Sequence, residues 1–249
     1  MTAPAQYDVI VIGGGPAGST VGRLLARWGH RVLVLARPRD PQRGLAESIP
    51  PSARKLLSAI GVLDAVERRG FPRNRGNAVW WGESAGRDES FDGEGHDTGF
   101  QVFRPDFDAL LLSEAFAAGA DVRRWATVRA VTFHDGAPTR VDFEWAGERV
   151  TALAAYVVDA SGRAGVVART GLRRYQSDHR MQAYLGMWRR DVPWADSVQY
   201  RTFVETYEDG WAWSLGAGGG LQQVAVMLDA AVTRTTRGSI EHAYRAELA

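Results

Sequence analysis

The 249-residue chain contains no cysteine. That excludes disulfides, thiol nucleophiles, cysteine-ligated zinc, iron–sulfur clusters and a flavin attached through sulfur. Lysine is nearly absent as well: of 30 basic residues only Lys55 is a lysine, so chemistry that needs a side-chain amine has one candidate. Neither sign of charge is in excess, with 30 basic residues against 29 acidic and a net charge of +1. Such a balance gives no field to draw the protein to nucleic acid or an anionic membrane. Long apolar runs are missing too. The first one ends at the glycines 13 to 15, and Met1 to Asp8 has no basic stretch, so neither a signal peptide nor a membrane span is expected. The expected location is cytoplasmic, with no nucleic-acid partner.

The chain is 45% hydrophobic and 24% charged, an ordinary globular composition long enough for one large domain or two interleaved ones. Tyr7 to Ile12 is a short β-branched run, as in a strand buried on both faces. Pro16 to Trp28 has helical spacing, with proline at its start and Gly29 at its end. Arg31 to Leu35 is a second buried strand, completing a βαβ unit. Residues 37 to 50 read as a loop, Pro51 to Arg69 as helix broken near Gly61, and Asn77 to Gly99 as short strands and turns. Pro105 to Ala118 reads as a helix, followed by strands near 126–133, 140–145 and 150–158. From Met181 the runs MQAYLGMW, VQYRTFVETY, GWAWSL and LQQVAVML alternate as antiparallel strands do, and Ser239 to Leu248 looks helical. The fold class expected is therefore α/β: a Rossmann-type domain interleaved with a mainly antiparallel sheet domain.

Between the first strand and helix lies Gly13-Gly14-Gly15-Pro16-Ala17-Gly18, a GxGxxG. Gly13 and Gly15 permit a tight turn and close approach of backbone N–H groups to a pyrophosphate, and Gly18 permits close helix–strand packing. The acidic residue that usually holds the adenosine ribose is replaced by Ala36 and Arg37. Arg37 suits a 2′-phosphate, which would favour NADP, and equally suits a solvated loop. Trp80-Trp81 and Trp211-Ala212-Trp213 invite a substrate-box reading, since Trp211, Trp213 and Leu215 share one strand face; core packing is the competing reading for Trp81, Trp211 and Trp213. His30, His96, His134, His179 and His242 have no metal-ligand spacing and no metal is expected.

Three further stretches carry a resemblance: Leu45-Ala46-Glu47-Ser48-Ile49-Pro50-Pro51, Phe103-Arg104-Pro105-Asp106-Phe107-Asp108 and Val157-Val158-Asp159-Ala160-Ser161-Gly162-Arg163. With the glycine motif and in this order, they resemble the FAD-dependent monooxygenase and flavin-dependent halogenase superfamily, most closely its tryptophan-halogenase-like branch. Each stretch alone also suits local structure: Glu47 and Ser48 before a proline-started helix, Arg104 in a first helical turn, Asp159 to Gly162 as turn chemistry. The resemblance implies FAD rather than NADP as bound cofactor. The glycine motif and the strand end give expected cofactor contacts at Gly13, Gly15, Pro16, Ala17, Gly18 and Arg37, and the resemblance implies further ones at Glu47, Ser48, Arg104, Asp159 and Gly162, with NAD(P)H or a separate flavin reductase as electron donor. It also implies an FAD-binding domain over residues 1–70 and 100–175 and a substrate domain over 71–99 and 176–249.

A flavin halogenase is expected to carry a lysine after Gly70-Phe71. Here that stretch reads Pro72-Arg73-Asn74-Arg75-Gly76, and an arginine cannot supply a neutral amine. The expected activity is thus monooxygenase-type oxygenation of an aromatic or other electron-rich small molecule through a flavin C4a-hydroperoxide. Halogenation and isoprenoid-type reduction are the alternatives, and no side chain stands out as a catalytic base. GWAWSL is similar to the halogenase W-x-W-x-I-P signature with Gly216 in place of proline. The family's late Gly-Asp motif has no match before Ala249, so the chain is expected to be incomplete at its C-terminus, and a catalytically incomplete FAD-binding module is the non-enzyme alternative.

Overall fold

A computed structural model describes residues 4–37, 44–82, 85–91, 98–135, 137–175, 181–189, 192, 195, 199–208, 210–229 and 240–248. The chain forms two compact units. The first comprises Met1–Gly44, Ala59–Ala65 and Pro105–Arg174, and the second Leu45–Ser58, Val66–Arg104 and Tyr175–Ala249. This division differs from the expected boundaries, because residues 45–58, 66–70, 100–104 and 175 group with the second unit.

In the first unit β1 (Ala5–Ile12), β2 (Val32–Ala36), β8 (Asp121–Arg124) and β11 (Glu148–Asp159) are parallel, in the order β8-β2-β1-β11. Antiparallel β10 (Ala137–Trp145) and β9 (Thr127–His134) extend the sheet beyond β11. Successive side chains of β1 and β2 go to opposite faces. Ile10, Ile12, Leu33 and Leu35 join Val141, Phe143 and Ala152 in one core. Val9, Val11, Val32 and Val34 pack on the other face with Leu112 of α4 (Arg104–Ala117) and with Val21 and Leu25 of α1 (Pro16–Arg27). Each such aliphatic side chain, fully buried, contributes about 1.5–3 kcal/mol. Two-sided burial is why these strands read as unbroken apolar runs.

The chain steps outward from β1 to β2 and β8, and later places β11 on the other side of β1. The strand order therefore reverses at β1, and ligands of open α/β sheets bind outside the carboxyl ends at such a reversal. There the Ala160 N–H donates to Ile12 O and the Gly13 N–H to Leu35 O, both at 2.9 Å. Gly13 has φ of +121°, and a Cβ on it would collide with the Ala160 carbonyl; one on Gly18 would collide with the carbonyl of Gly13.

The second unit holds two sheets. The larger has the order β12-β15-β14-β13-β5-β6, from β12 (Met181–Arg189), β15 (Leu221–Asp229), β14 (Gly210–Gly218), β13 (Arg201–Tyr207), β5 (Gly76–Trp80) and β6 (Arg87–Ser90). It is antiparallel except for the β13–β5 pair. The four strands expected after Met181 are all present, as are α2 (Ala53–Ala59), α3 (Leu63–Arg69) and α5 (Ile240–Ala246).

The smaller sheet corrects the sequence reading. β3 (Ala46–Ile49) lies where a loop was expected and pairs with β7 (Gly99–Phe103), which also pairs with β4 (Arg73–Asn74). These strands are short, and β3 carries Glu47 and Ser48 between Ala46 and Ile49, so no apolar period marks them. β8 was likewise not expected: its sequence DVRR has no apolar alternation.

Gly13→Ala should destabilise the chain by at least about 2 kcal/mol, since both its positive φ and the Ala160 contact resist a side chain. Urea unfolding with an unchanged slope and an unchanged midpoint would contradict the close approach.

Candidate functional site

At the carboxyl end of β1, Gly15 is the N-cap of α1, with φ −80° and ψ −174° and no side-chain cap. Pro16 follows at the first helical position, and no acidic residue lies in the first turn. The leading N–H groups of a helix have no partner within it and carry partial positive charge. With no local carboxylate to meet them, they suit an external anion. Ala17 is exposed, and Gly18 is buried. Arg37 follows β2 directly and is exposed.

Beside this turn the loop after β11 is organised by Asp159. Its Oδ1 accepts from the Ser161 N–H at 3.1 Å and the Ser161 hydroxyl at 2.5 Å, and its Oδ2 from the N–H groups of Val167 at 2.8 Å and Ala168 at 3.0 Å. Burial works to raise the carboxyl pKa, but these hydrogen bonds outweigh it and hold the group below the ordinary aspartate value. The Ser161 hydroxyl in turn accepts from Val166 N–H at 2.9 Å. Gly162, at φ +63°, opens the following 3₁₀ turn, and its carbonyl accepts from Arg173 at 3.1 Å. The Asp159 carboxylate is thus spent on shaping its own loop, and the loop presents backbone.

In the second unit, the β3–β7 pairing joins residues far apart in sequence. Glu47 lies opposite Val102 and Ser48 opposite Gln101. The Arg104 N–H donates to Leu45 O at 2.8 Å, and its guanidinium forms a 2.7 Å ion pair with Glu47. Gln223, 1% exposed, holds β3 in place: its amide oxygen accepts from Ala46 N–H at 2.6 Å and its NH₂ donates to Ala46 O at 3.0 Å. Sequence reading missed Gln223, which looks like one polar residue of an alternating strand. The buried polar pair Gln222-Gln223 inside an apolar run was the available signal.

The stretch after Gly70-Phe71 divides its side chains three ways. Asn74, 1% exposed, donates to Ser48 Oγ at 2.6 Å and accepts from Gly76 N–H at 3.2 Å. Arg73 pairs with Glu67 and lies 5.0 Å from the Phe100 ring centroid, while Arg75 lies 5.1 Å over Tyr200. Burial opposes charge on Glu67, but Arg73 and Arg54 together keep its carboxyl below the ordinary glutamate range. Lys55 is exposed on α2.

The tryptophans also separate. Trp80 stacks on Phe203 at 6.3 Å. Trp81 meets Trp211 at 6.2 Å, tilted by 52°. Trp213 and Leu215 follow Trp211 on the same sheet face, cross-strand from Val204 and Thr202 and, on the other side, from Ala225 and Gln223. Leu215 is fully buried, whereas Trp211 and Trp213 are half-buried and Trp81 is 56% exposed. The face thus runs from an open aromatic end to the glutamine that clasps β3. His30 and His242 are exposed, His96 and His179 lie outside the described residues, and no metal-ligating cluster occurs among the described residues.

The family model described as the FAD binding domain matches residues 6–212. The chain belongs to this FAD-binding family. A tryptophan 2-halogenase of Chondromyces crocatus is 31% identical over 223 residues, covering 86% of this chain and 42% of that protein. A flavin-dependent halogenase of Armillaria mellea is 30% identical over 244 residues, covering 90% and 45%. The structure of a myxobacterial chondrochloren halogenase superposes with a TM-score of 0.84 at 28% identity, over 98% of this chain and 57% of that one. The chain spans less than half the length of these curated relatives.

FAD fits the residues present in the FAD-binding family's glycine turn: the uncapped helix start accepts a phosphate, and side chains are excluded where the backbone must close on Ala160. The residues that could hold it there are Gly13, Gly15, Pro16, Ala17 and Gly18.

Asp159→Asn should cost about 1–3 kcal/mol at neutral pH, because the amide offers one oxygen and turns an NH₂ towards N–H donors. A depressed pKa stabilises the fold above the unfolded value and loses that contribution as pH falls through the folded one. The stability gap between parent and variant should therefore be constant above about pH 5 and narrow below about pH 4. A gap that does not change with pH would contradict the ionised clamp.

Proposed function

We propose that the first unit holds FAD, its pyrophosphate at the Gly13–Gly18 turn and its adenosine towards Ala36 and Arg37, and that the protein oxygenates an electron-rich, planar small molecule. The observation that supports the cofactor position is the meeting of the glycine turn with the Asp159 loop at the strand-order reversal. Gly162 contributes backbone there, and Asp159 acts by ordering the loop. Glu47, Ser48 and Arg104 are assigned to the cofactor on the resemblance. Trp81, Trp211 and Trp213 form an apolar face that receives an aromatic ring and keeps water from it.

Bound and reduced, FAD supplies activation of O₂ for transfer to the substrate. NAD(P)H, directly or through a separate flavin reductase, supplies the electrons. Oxygenation is favoured over halogenation by the stretch Pro72 to Gly76, whose arginines are engaged by Glu67 and by aromatic rings and whose Asn74 sits on Ser48. No amine is present there. Halogenation is the second reading, favoured by the relatives, which are flavin-dependent halogenases by name.

Incubation with reduced flavin, O₂, halide and a panel of indoles, phenols and pyrroles should give oxygenated product and no halogenated product above background. Protein-dependent halide incorporation would decide for the second reading. Gly15→Val is expected to abolish FAD uptake while leaving stability close to the parent's, because φ −80° and ψ −174° suit valine. Parent-like FAD affinity in that variant would place the cofactor elsewhere.

A further inference from the structure

Trp125, between β8 and β9, stands in the left-handed region at φ +67° and is 66% exposed. A bulky aromatic residue is disfavoured there, where glycine or asparagine is at ease. An exposed indole also gains little from folding. Neither backbone preference nor core packing therefore accounts for a tryptophan at this position.

Its neighbours place it at the strand end already described. The N–H of Ala126 donates to Ala36 O at 3.0 Å, and β8 pairs in parallel with β2 so that Arg124 lies beside Ala36. The glycine turn packs on the same residue: a Cβ on Gly14 would stand 2.5 Å from Ala36 Cβ. Ala36 is thus the point at which the turn, β2 and the Trp125–Ala126 corner converge, all within the first unit. The adenosine half of a dinucleotide lies beyond the end of the second strand, where an acidic residue ordinarily accepts from the ribose. Here that end is Ala36 followed by Arg37, so ribose recognition by a carboxylate is missing from the strand end.

We propose that Trp125 is an adenine platform: its indole stacks on the adenine of the bound dinucleotide and supplies affinity that the absent carboxylate does not. The inference rests on the FAD reading and assigns its adenosine end. Stacking is indifferent to hydrogen-bond pattern and needs only an exposed ring held in place. The left-handed corner, tied to Ala36 through Ala126, fixes the backbone that carries it.

The test uses the full chain and its Trp125→Gly variant, titrated with FAD, FMN and ADP by fluorescence and calorimetry. Glycine adopts φ +67° without strain, so the variant should melt no lower than the parent. Trp125→Asn, also tolerant of this conformation, is the second variant. The expected result is that both variants bind FAD and ADP about tenfold more weakly, while FMN, which has no adenine, changes by less than about twofold. FAD and ADP affinities within about twofold of the parent's would overturn the proposal, as would an equal loss for FMN, which would mark general damage. Should the parent take up ADP but no flavin, the FAD reading fails while loss of ADP affinity in the variants still upholds the platform. A parent that binds neither overturns both.

Discussion

The approach of the Gly13 backbone to the carbonyl of Ala160 is the contact on which the first unit's carboxyl edge depends. It joins the ends of β1 and β11 at the place where the strand order reverses. Any side chain at Gly13 would part those ends, and one at Gly18 would lift α1 from the turn. Because both positions are glycine, the amino end of α1 and the Asp159 loop lie side by side, and the leading donors of the helix meet no side-chain cap. The chemistry of this edge is that of backbone N–H groups.

The second unit solves a different problem, which is to hold polar side chains in fixed positions on a four-residue strand. β3 has little apolar surface of its own, so its position comes from pairing with β7 and from the Gln223 clasp on Ala46. Removing a buried amide that satisfies two backbone groups leaves both unpaired, a cost of about 1–3 kcal/mol for each group. Glu47, Ser48, Arg104 and Asn74 are thereby held in one cluster. Gln223 also faces the side of the large sheet that carries Trp211 and Trp213, which links that cluster to the aromatic face within a single unit.

The parts of this fold legible in the sequence are those with strong local periods. β1, α1 and β2 are marked by apolar runs, a proline start and a glycine stop, and the four strands after Met181 by alternation. The small sheet was not legible, because β3 is polar and its partner β7 lies about fifty residues away, beyond any local signal. The same holds for the candidate site. Glu47, Ser48, Arg104 and Asp159 were singled out through order and resemblance, but residue type alone did not reveal that Asp159 spends its carboxylate on its own loop. Trp125 left no pattern at all, since its significance lies in a backbone angle and in a hydrogen bond made by its neighbour.

The central claim is that the glycine turn and the Asp159 loop form an FAD-binding edge. The most direct measurement is the visible spectrum and flavin content of the purified full chain, before and after incubation with FAD and gel filtration. A yellow chain that keeps FAD in stoichiometric amount and releases it intact on denaturation is the result the account predicts. A well-folded chain that stays colourless after incubation would contradict it.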